Sequence, residues 1–88
     1  MSKELIEEAI EKYNKYRSPE ATARLMYYQE DKFLVEFSGY FCFTCGYYDY
    51  FEDLIYILKE MGLRAKIEKI EEKENNITLV TFILLNNI

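Results

Sequence analysis

The sequence predicts an α+β protein with the element order α-β-β-α-β-β. Two stretches with helical spacing are each followed by two stretches that alternate or run apolar, and polar turns separate them. The simplest architecture for this order is a four-stranded antiparallel sheet with two helices packed on one face. At 88 residues the chain has the length of one domain, residues 1–88.

The first helix is predicted over residues 3–16, with Ser2 as its N-cap. Apolar residues recur there at steps of three and four, with acids and lysines between them. Pro19 marks the end of this helix, because the residue before a proline is disfavoured in the helical region.

A β-hairpin is predicted next, with strands near 21–28 and 32–38. In the second strand Phe33, Val35 and Phe37 alternate with Leu34, Glu36 and Ser38, which is the period of a strand with two different faces. The four polar residues "QEDK" supply the turn between the strands.

The second helix is predicted from Asp49 to Met61. Asp49 and Glu52 have the spacing of a capping box. Gly62 supplies the left-handed residue after the helix, and Leu63 can then pack back onto the last turn.

Two more strands complete the chain. The stretch "LRAKIEKIEE" alternates until its pattern slips at Ile70, which predicts a bulge or the end of that strand. After the polar turn "EKENN", the stretch 77–85, "ITLVTFILL", is apolar on both faces. Such a strand is either central and covered twice, or packed against another subunit.

Composition limits the functions to expect. The formal net charge is −5 and the basic residues are dispersed, so we expect no nucleic-acid partner. The chain has no histidine, which excludes Ser-His-Asp and Cys-His catalysis within one chain. No apolar run approaches the roughly 20 residues that span a bilayer. We therefore expect a cytoplasmic protein without membrane contact, and the Glu, Lys and Ile bias is typical of thermophiles.

Aromatic residues are concentrated in one segment, where seven of the twelve residues from Tyr40 to Phe51 are aromatic. Their hydroxyls favour positions at the rim of the core, but tyrosine is also enriched in protein interfaces and ligand pockets. The candidate contact residues are Tyr40, Phe43, Tyr47, Tyr48, Tyr50 and Tyr56.

Cys42 and Cys45 lie within this segment in a Cys-x-x-Cys spacing. The stretch "FLVEFSGYFCFTCG" ahead of a helix resembles the strand, cysteine pair and helix of the thioredoxin family over about fourteen residues. The resemblance implies nucleophilic and resolving thiols at Cys42 and Cys45. The chain departs from that family in its single proline, Pro19, which lies upstream, and in lacking a preceding parallel βαβ unit.

Two further interpretations of the cysteines remain open. Zinc takes four ligands, so one pair is half a site, which a dimer would complete by sharing the ion across its two-fold axis. Alternatively, both cysteines pack as small hydrophobic residues among the aromatic rings.

The sequence thus favours a non-enzymatic interaction module that forms a homo-oligomer or binds a protein partner. The surfaces predicted for this are the aromatic residues of 40–56 and the face and edge of the last strand, 77–85. No cofactor is expected in this interpretation. The alternative is a thiol-dependent protein centred on Cys42 and Cys45, either redox-active or zinc-binding, and a third possibility is a small-molecule pocket walled by Tyr and Phe.

Overall fold

A computed structural model describes residues 2–17, 21–29, 31–39, 47–74 and 76–85 of the chain. Its elements are α1 (Ser2–Arg17), β1 (Ala21–Gln29), β2 (Lys32–Gly39), α2 (Tyr47–Glu60), β3 (Ala65–Lys73) and β4 (Ile77–Leu84). All strand pairs are antiparallel, and the order in the sheet is β1-β2-β4-β3. The predicted α+β fold and its element order are confirmed.

Both helices lie on one face of the sheet, as the sequence predicts. Helix α1 contacts β1 and α2, and α2 also contacts β3. Each helix buries one apolar stripe because its apolar residues recur with the helical period. The buried stripes are Ile6, Ala9, Ile10 and Tyr13 in α1, and Phe51, Leu54 and Leu58 in α2.

The core between the helices and the sheet is centred on the ring of Phe37. This ring packs against Phe51 at 4.8 Å between centroids, against Tyr13 at 5.5 Å, edge to face, and against Phe82 at 6.3 Å. One residue of β2 therefore joins both helices and the neighbouring central strand. Because β2 lies near the middle of the sheet, this contact fixes where the two helices sit.

Helix α2 begins two residues earlier than predicted, at Tyr47, so Asp49 lies in its first turn and not at its cap. The charge of Asp49 still complements the positive end of the helix dipole. The helix ends at Glu60, one residue before the predicted Met61, and the predicted cap at Gly62 is confirmed. Gly62 has φ +93°, its N–H donates to the Lys59 carbonyl, and the Leu63 N–H donates to the Leu58 carbonyl, which is the Schellman arrangement.

Two bulges adjust the edge strands. In β3 the register shifts between Ile67 and Lys69, earlier than the predicted slip at Ile70, and the strand continues to Lys73. The extra residue lets Ile67 and Ile70 both pack against the helices although they are three positions apart. A second bulge, between Leu25 and Tyr27 in β1, has no counterpart in the sequence prediction.

Neither helix in the described part of the chain combines the length and apolar character needed to cross a membrane.

Candidate association surface

The sheet has a second face, directed away from α1 and α2, which we call the outer face. Because side chains alternate along a strand, the residues between the buried positions lie on this face. They are Thr22, Arg24, Tyr27 and Gln29 of β1, Lys32, Leu34, Glu36 and Ser38 of β2, Ile77, Leu79, Thr81 and Ile83 of β4, and Lys66, Lys69, Glu71 and Lys73 of β3.

The centre of the outer face is apolar. Ile77, Leu79 and Ile83 line the outward side of β4, and Leu34 of β2 lies beside Thr81 in the antiparallel register. All of these side chains stay partly exposed, whereas Thr78, Val80 and Phe82 on the other side of β4 are buried. Strand β4 is therefore central and paired on both edges, so the predicted contact through the edge of the last strand is wrong. Within the described residues the helices cover only one of its faces.

Charged side chains surround this apolar centre, and several of them are paired with each other. Arg24 lies 3.8 Å from Glu36, and Lys69 lies 3.0 Å from Glu71, measured between the charged atoms. The hydrogen bond from Lys69 lowers the pKa of Glu71. These pairs are exposed, so each contributes little to folding stability, but they leave few uncompensated charges near the centre.

One further ion pair crosses β4. Lys32 of β2 and Glu68, the extra residue in the β3 bulge, lie 3.5 Å apart, although β4 separates their strands. Five cations and three acids now account for the charged groups on this side, so the outer face carries a net charge of about +2 in a chain of −5. Lys66 and Lys73 lie towards the two ends of β3.

The size of the outer face bears on what it can bind. Four strands about 4.8 Å apart, each eight residues of about 3.3 Å, outline about 500 Å². Two such faces bury about 1,000 Å² in total, which is the lower limit for a specific protein–protein interface.

The structure separates the tyrosines predicted as one contact surface. Tyr56 is 67% exposed and Tyr48 is 45% exposed on α2, whereas Tyr50 is half-buried against the core cluster. The backbone of Tyr47 forms the start of α2, and its side chain lies outside the described positions. Tyr40, Phe43, Cys42 and Cys45 also lie outside the described residues, so the contact, redox and zinc predictions for them stay predictions.

An ion pair joins the ends of the helices beside these tyrosines. Arg17, the last residue of α1, donates a hydrogen bond to Asp53 of α2, and its guanidinium carbon lies 4.7 Å from the centre of the Tyr50 ring. The hydrogen bond to Asp53 raises the pKa of Arg17, so the guanidinium stays charged at any pH of interest. The pair and the cation–π contact hold the two helices together and occupy Tyr50.

A cleft of about 470 Å³ opens between the helices next to this ion pair. Its walls carry both signs of charge together with exposed rings, and they comprise Tyr13, Tyr16, Arg17, Asp53, Tyr56, Ile57 and Glu60. The volume is within the range of small-molecule sites. The cleft includes Tyr56, one of the predicted contact residues, and the small-molecule pocket walled by Tyr and Phe stays a prediction.

No metal site forms from the parts of the chain that the structure describes: none of their acidic residues gather in groups of three or more.

The edges of the sheet differ from its outer face because they are protected. The Asn14 side chain of α1 accepts a hydrogen bond from the Ala23 N–H at 2.7 Å and donates one to the Ala23 carbonyl at 3.0 Å. It thereby takes the place of a neighbouring strand at the free edge of β1. Edge β3 carries Lys66, Glu68 and Lys69 and a bulge, which also discourage strand addition.

The contributions of Leu34, Asn14 and Arg17 were not predicted from the sequence. The apolar run "FLVEF" already showed that Leu34 faces away from Phe33 and Val35, but it did not show that this side is left open. Asn14 and Arg17 carry no local signal, because their partners Ala23 and Asp53 are 9 and 36 residues away.

Comparisons with protein families, with curated proteins and with solved structures found no match to this chain.

Proposed function

We propose that this protein is a non-enzymatic interaction module that self-associates, and that a second copy of the chain covers the outer face. The observation that carries the proposal is the apolar centre of that face, formed by Ile77, Leu79 and Ile83 of β4 with Leu34 of β2. An antiparallel sheet commonly leaves one face to solvent, but that face is then mainly polar. Here the central strand is apolar on both sides.

A second copy fits this surface in chemistry and in size. The two faces are identical, so an isologous two-fold contact brings apolar centre against apolar centre. The area of about 1,000 Å² predicts a dimer at the weak end of specific association, with a dissociation constant on the order of micromolar. The paired charges around the centre form the polar rim that interfaces of this kind have.

The edges of the sheet favour this mode of association over strand addition. Asn14 occupies the outward-directed backbone groups of Ala23 on β1, and the bulge and charges of β3 obstruct the other edge. These features disfavour association through the sheet edges and therefore favour contact through the outer face.

Sedimentation equilibrium from about 1 µM to about 500 µM tests the proposal, with the dimer expected to accumulate over this range. The variant Leu79→Glu places a carboxylate in the apolar centre and is expected to remain monomeric. Tyr16→Glu is the matched control, because Tyr16 is 82% exposed on α1, away from the outer face. This control should dimerise as the unsubstituted chain does.

A chain that stays monomeric at every concentration contradicts self-association. Equal loss of dimer in Leu79→Glu and Tyr16→Glu contradicts the assignment to the outer face. Circular dichroism of both variants establishes that each has kept its fold.

A further inference from the structure

The charges and apolar residues of the outer face select one arrangement of the two copies, and this inference rests on the proposed self-association. We propose that the two-fold axis lies between the two sheets, runs perpendicular to the strands, and passes over Val80 of β4 in each copy. Each strand then lies over its own copy in the opposite direction. Aligned packing at about 30° between two sheets is a common arrangement for contacts of this kind.

This arrangement brings the apolar residues of β4 together. Ile77 lies opposite the partner's Ile83, and Leu79 lies opposite the partner's Thr81, because the strand is reversed about Val80. The two-fold axis repeats each contact. The four outward positions of β4 therefore form one continuous contact with no charged group within it.

The charged residues at the sides also find suitable partners. The axis places Lys69 opposite the partner's Glu71, and Arg24 opposite the partner's Tyr27, whose ring is 54% exposed. An arginine over a tyrosine ring is favourable at an interface. The partner's Glu36 comes opposite Leu34 but keeps its own ion pair with Arg24.

The competing arrangement has its two-fold axis parallel to the strands, and it places β2 over β4 of the partner. In that case Glu36 lies against the partner's Leu79, and Lys32 lies against the partner's Ile83, each twice. Taking these charges out of water against apolar side chains is unfavourable. Of the charged residues of β2, the perpendicular axis places only Glu36 against an apolar side chain, that of the partner's Leu34. The same registers thus favour the perpendicular axis.

The proposed dimer contains one contact between like charges, and this contact supplies a test. Lys66 lies opposite the partner's Lys73, towards the ends of β3. The substitution Lys73→Glu replaces two repulsive contacts with two attractive ones. The dimer should tighten by about twofold to thirtyfold, since two exposed ion pairs form and each contributes a small amount. With the parallel axis Lys73 faces the partner's Thr22, and no tightening is expected.

Complementary variants test the arrangement directly. Leu79→Glu and Thr81→Lys are each expected to dimerise at least about 100-fold more weakly than the unsubstituted chain. When mixed, they should form a heterodimer within about tenfold of the original affinity, because the perpendicular axis faces position 79 with position 81 of the partner. Native mass spectrometry distinguishes the heterodimer by its mass.

The control mixture is Leu79→Glu with Glu36→Lys, which the parallel axis would pair. Rescue in this mixture, or failure of rescue by Thr81→Lys while the unsubstituted chain dimerises, overturns the perpendicular arrangement alone. An unsubstituted chain that never dimerises overturns the proposed function instead. Circular dichroism of each variant before mixing excludes unfolding as the cause of any loss.

Discussion

Asn14 shows how much one side chain of α1 contributes to the sheet. Its amide satisfies both outward-directed backbone groups of Ala23, at 2.7 and 3.0 Å. Asparagine is the residue whose side chain carries a donor and an acceptor in the arrangement of a peptide group. It therefore docks α1 on β1 and closes the sheet edge at the same position.

The substitution Asn14→Ala should lower the free energy of unfolding by about 1–3 kcal/mol, because it leaves two backbone groups without their partner. Asn14→Asp keeps an acceptor for the Ala23 N–H but has no donor for the Ala23 carbonyl. Its free energy of unfolding should therefore lie between those of Asn14→Ala and the unsubstituted chain. Lys15→Ala, exposed on the same helix, is the control. Urea denaturation measures all three, and equal stability of Asn14→Ala and the control would show that the contact is unimportant.

Thr78 is a polar residue in an apolar layer. It is fully buried on the helix side of β4, and its hydroxyl has no hydrogen-bond partner among the described residues. Burying a hydroxyl without a partner costs about 1–3 kcal/mol, as judged from protein mutations. Threonine has the branched shape that a strand favours. Valine has the same shape with a methyl group in place of the hydroxyl, so it would avoid this cost.

Thr78→Val is therefore expected to raise the free energy of unfolding by about 1 kcal/mol. Thr81→Val, on the outer side of the same strand, is the control and should change monomer stability by less than about 0.5 kcal/mol. Thermal unfolding at a concentration below the dimer range gives both values. A loss of stability in Thr78→Val would mean that its hydroxyl makes a favourable hydrogen bond.

At the scale of elements, β4 shows that the position of a strand in the sheet decides which of its apolar faces is covered. Its apolar run is consistent with burial on both faces, and the structure places it between β2 and β3, with helices on one side. The alternation of buried and partly exposed residues along β4 is as regular as in β2. The difference is that β4 repeats apolar residues on the open side, where β2 carries Lys32, Glu36 and Ser38.

The helices show the same dependence on context. Helix α1 ends at Arg17, so this cation lies near the negative end of the helix dipole and also reaches Asp53 on α2. Helix α2 ends in a Schellman arrangement that requires only local residues around Gly62. The first end is predicted by Pro19 and is held by a contact between helices, whereas the second depends only on the sequence near it.

At the scale of the whole molecule, charge is distributed unevenly. The outer face carries a net charge of about +2, so the remainder of the chain carries about −7. This negative charge should oppose association of copies through the rest of the surface, and contact between outer faces avoids that repulsion.

Self-association also predicts a property of the whole chain. A dimer that forms only from folded subunits is stabilised by mass action, so Tm should rise with protein concentration. The rise should amount to several degrees between about 5 µM and about 500 µM, because 1 kcal/mol shifts Tm by about 4–8 °C in a domain of this size.

Leu79→Glu should remove this dependence. It should also lower Tm at low concentration, because the new carboxylate lies between Glu36 and Glu71 of the same sheet. Differential scanning calorimetry at the two concentrations measures the effect. A concentration-independent Tm in the unsubstituted chain would contradict a dimer of folded subunits.

By itself, the sequence determined the two helices, the four strands, the faces that they bury and the end of α2 at Gly62. Those features follow from periodicity and from residues a few positions apart, which is why they were predictable. Only the tertiary structure decided that β4 lies beside β2, that one of its apolar faces stays open, and that Asn14 and Arg17 reach Ala23 and Asp53. Strand order, register and contacts between distant residues depend on how whole elements pack, and no local pattern encodes that choice.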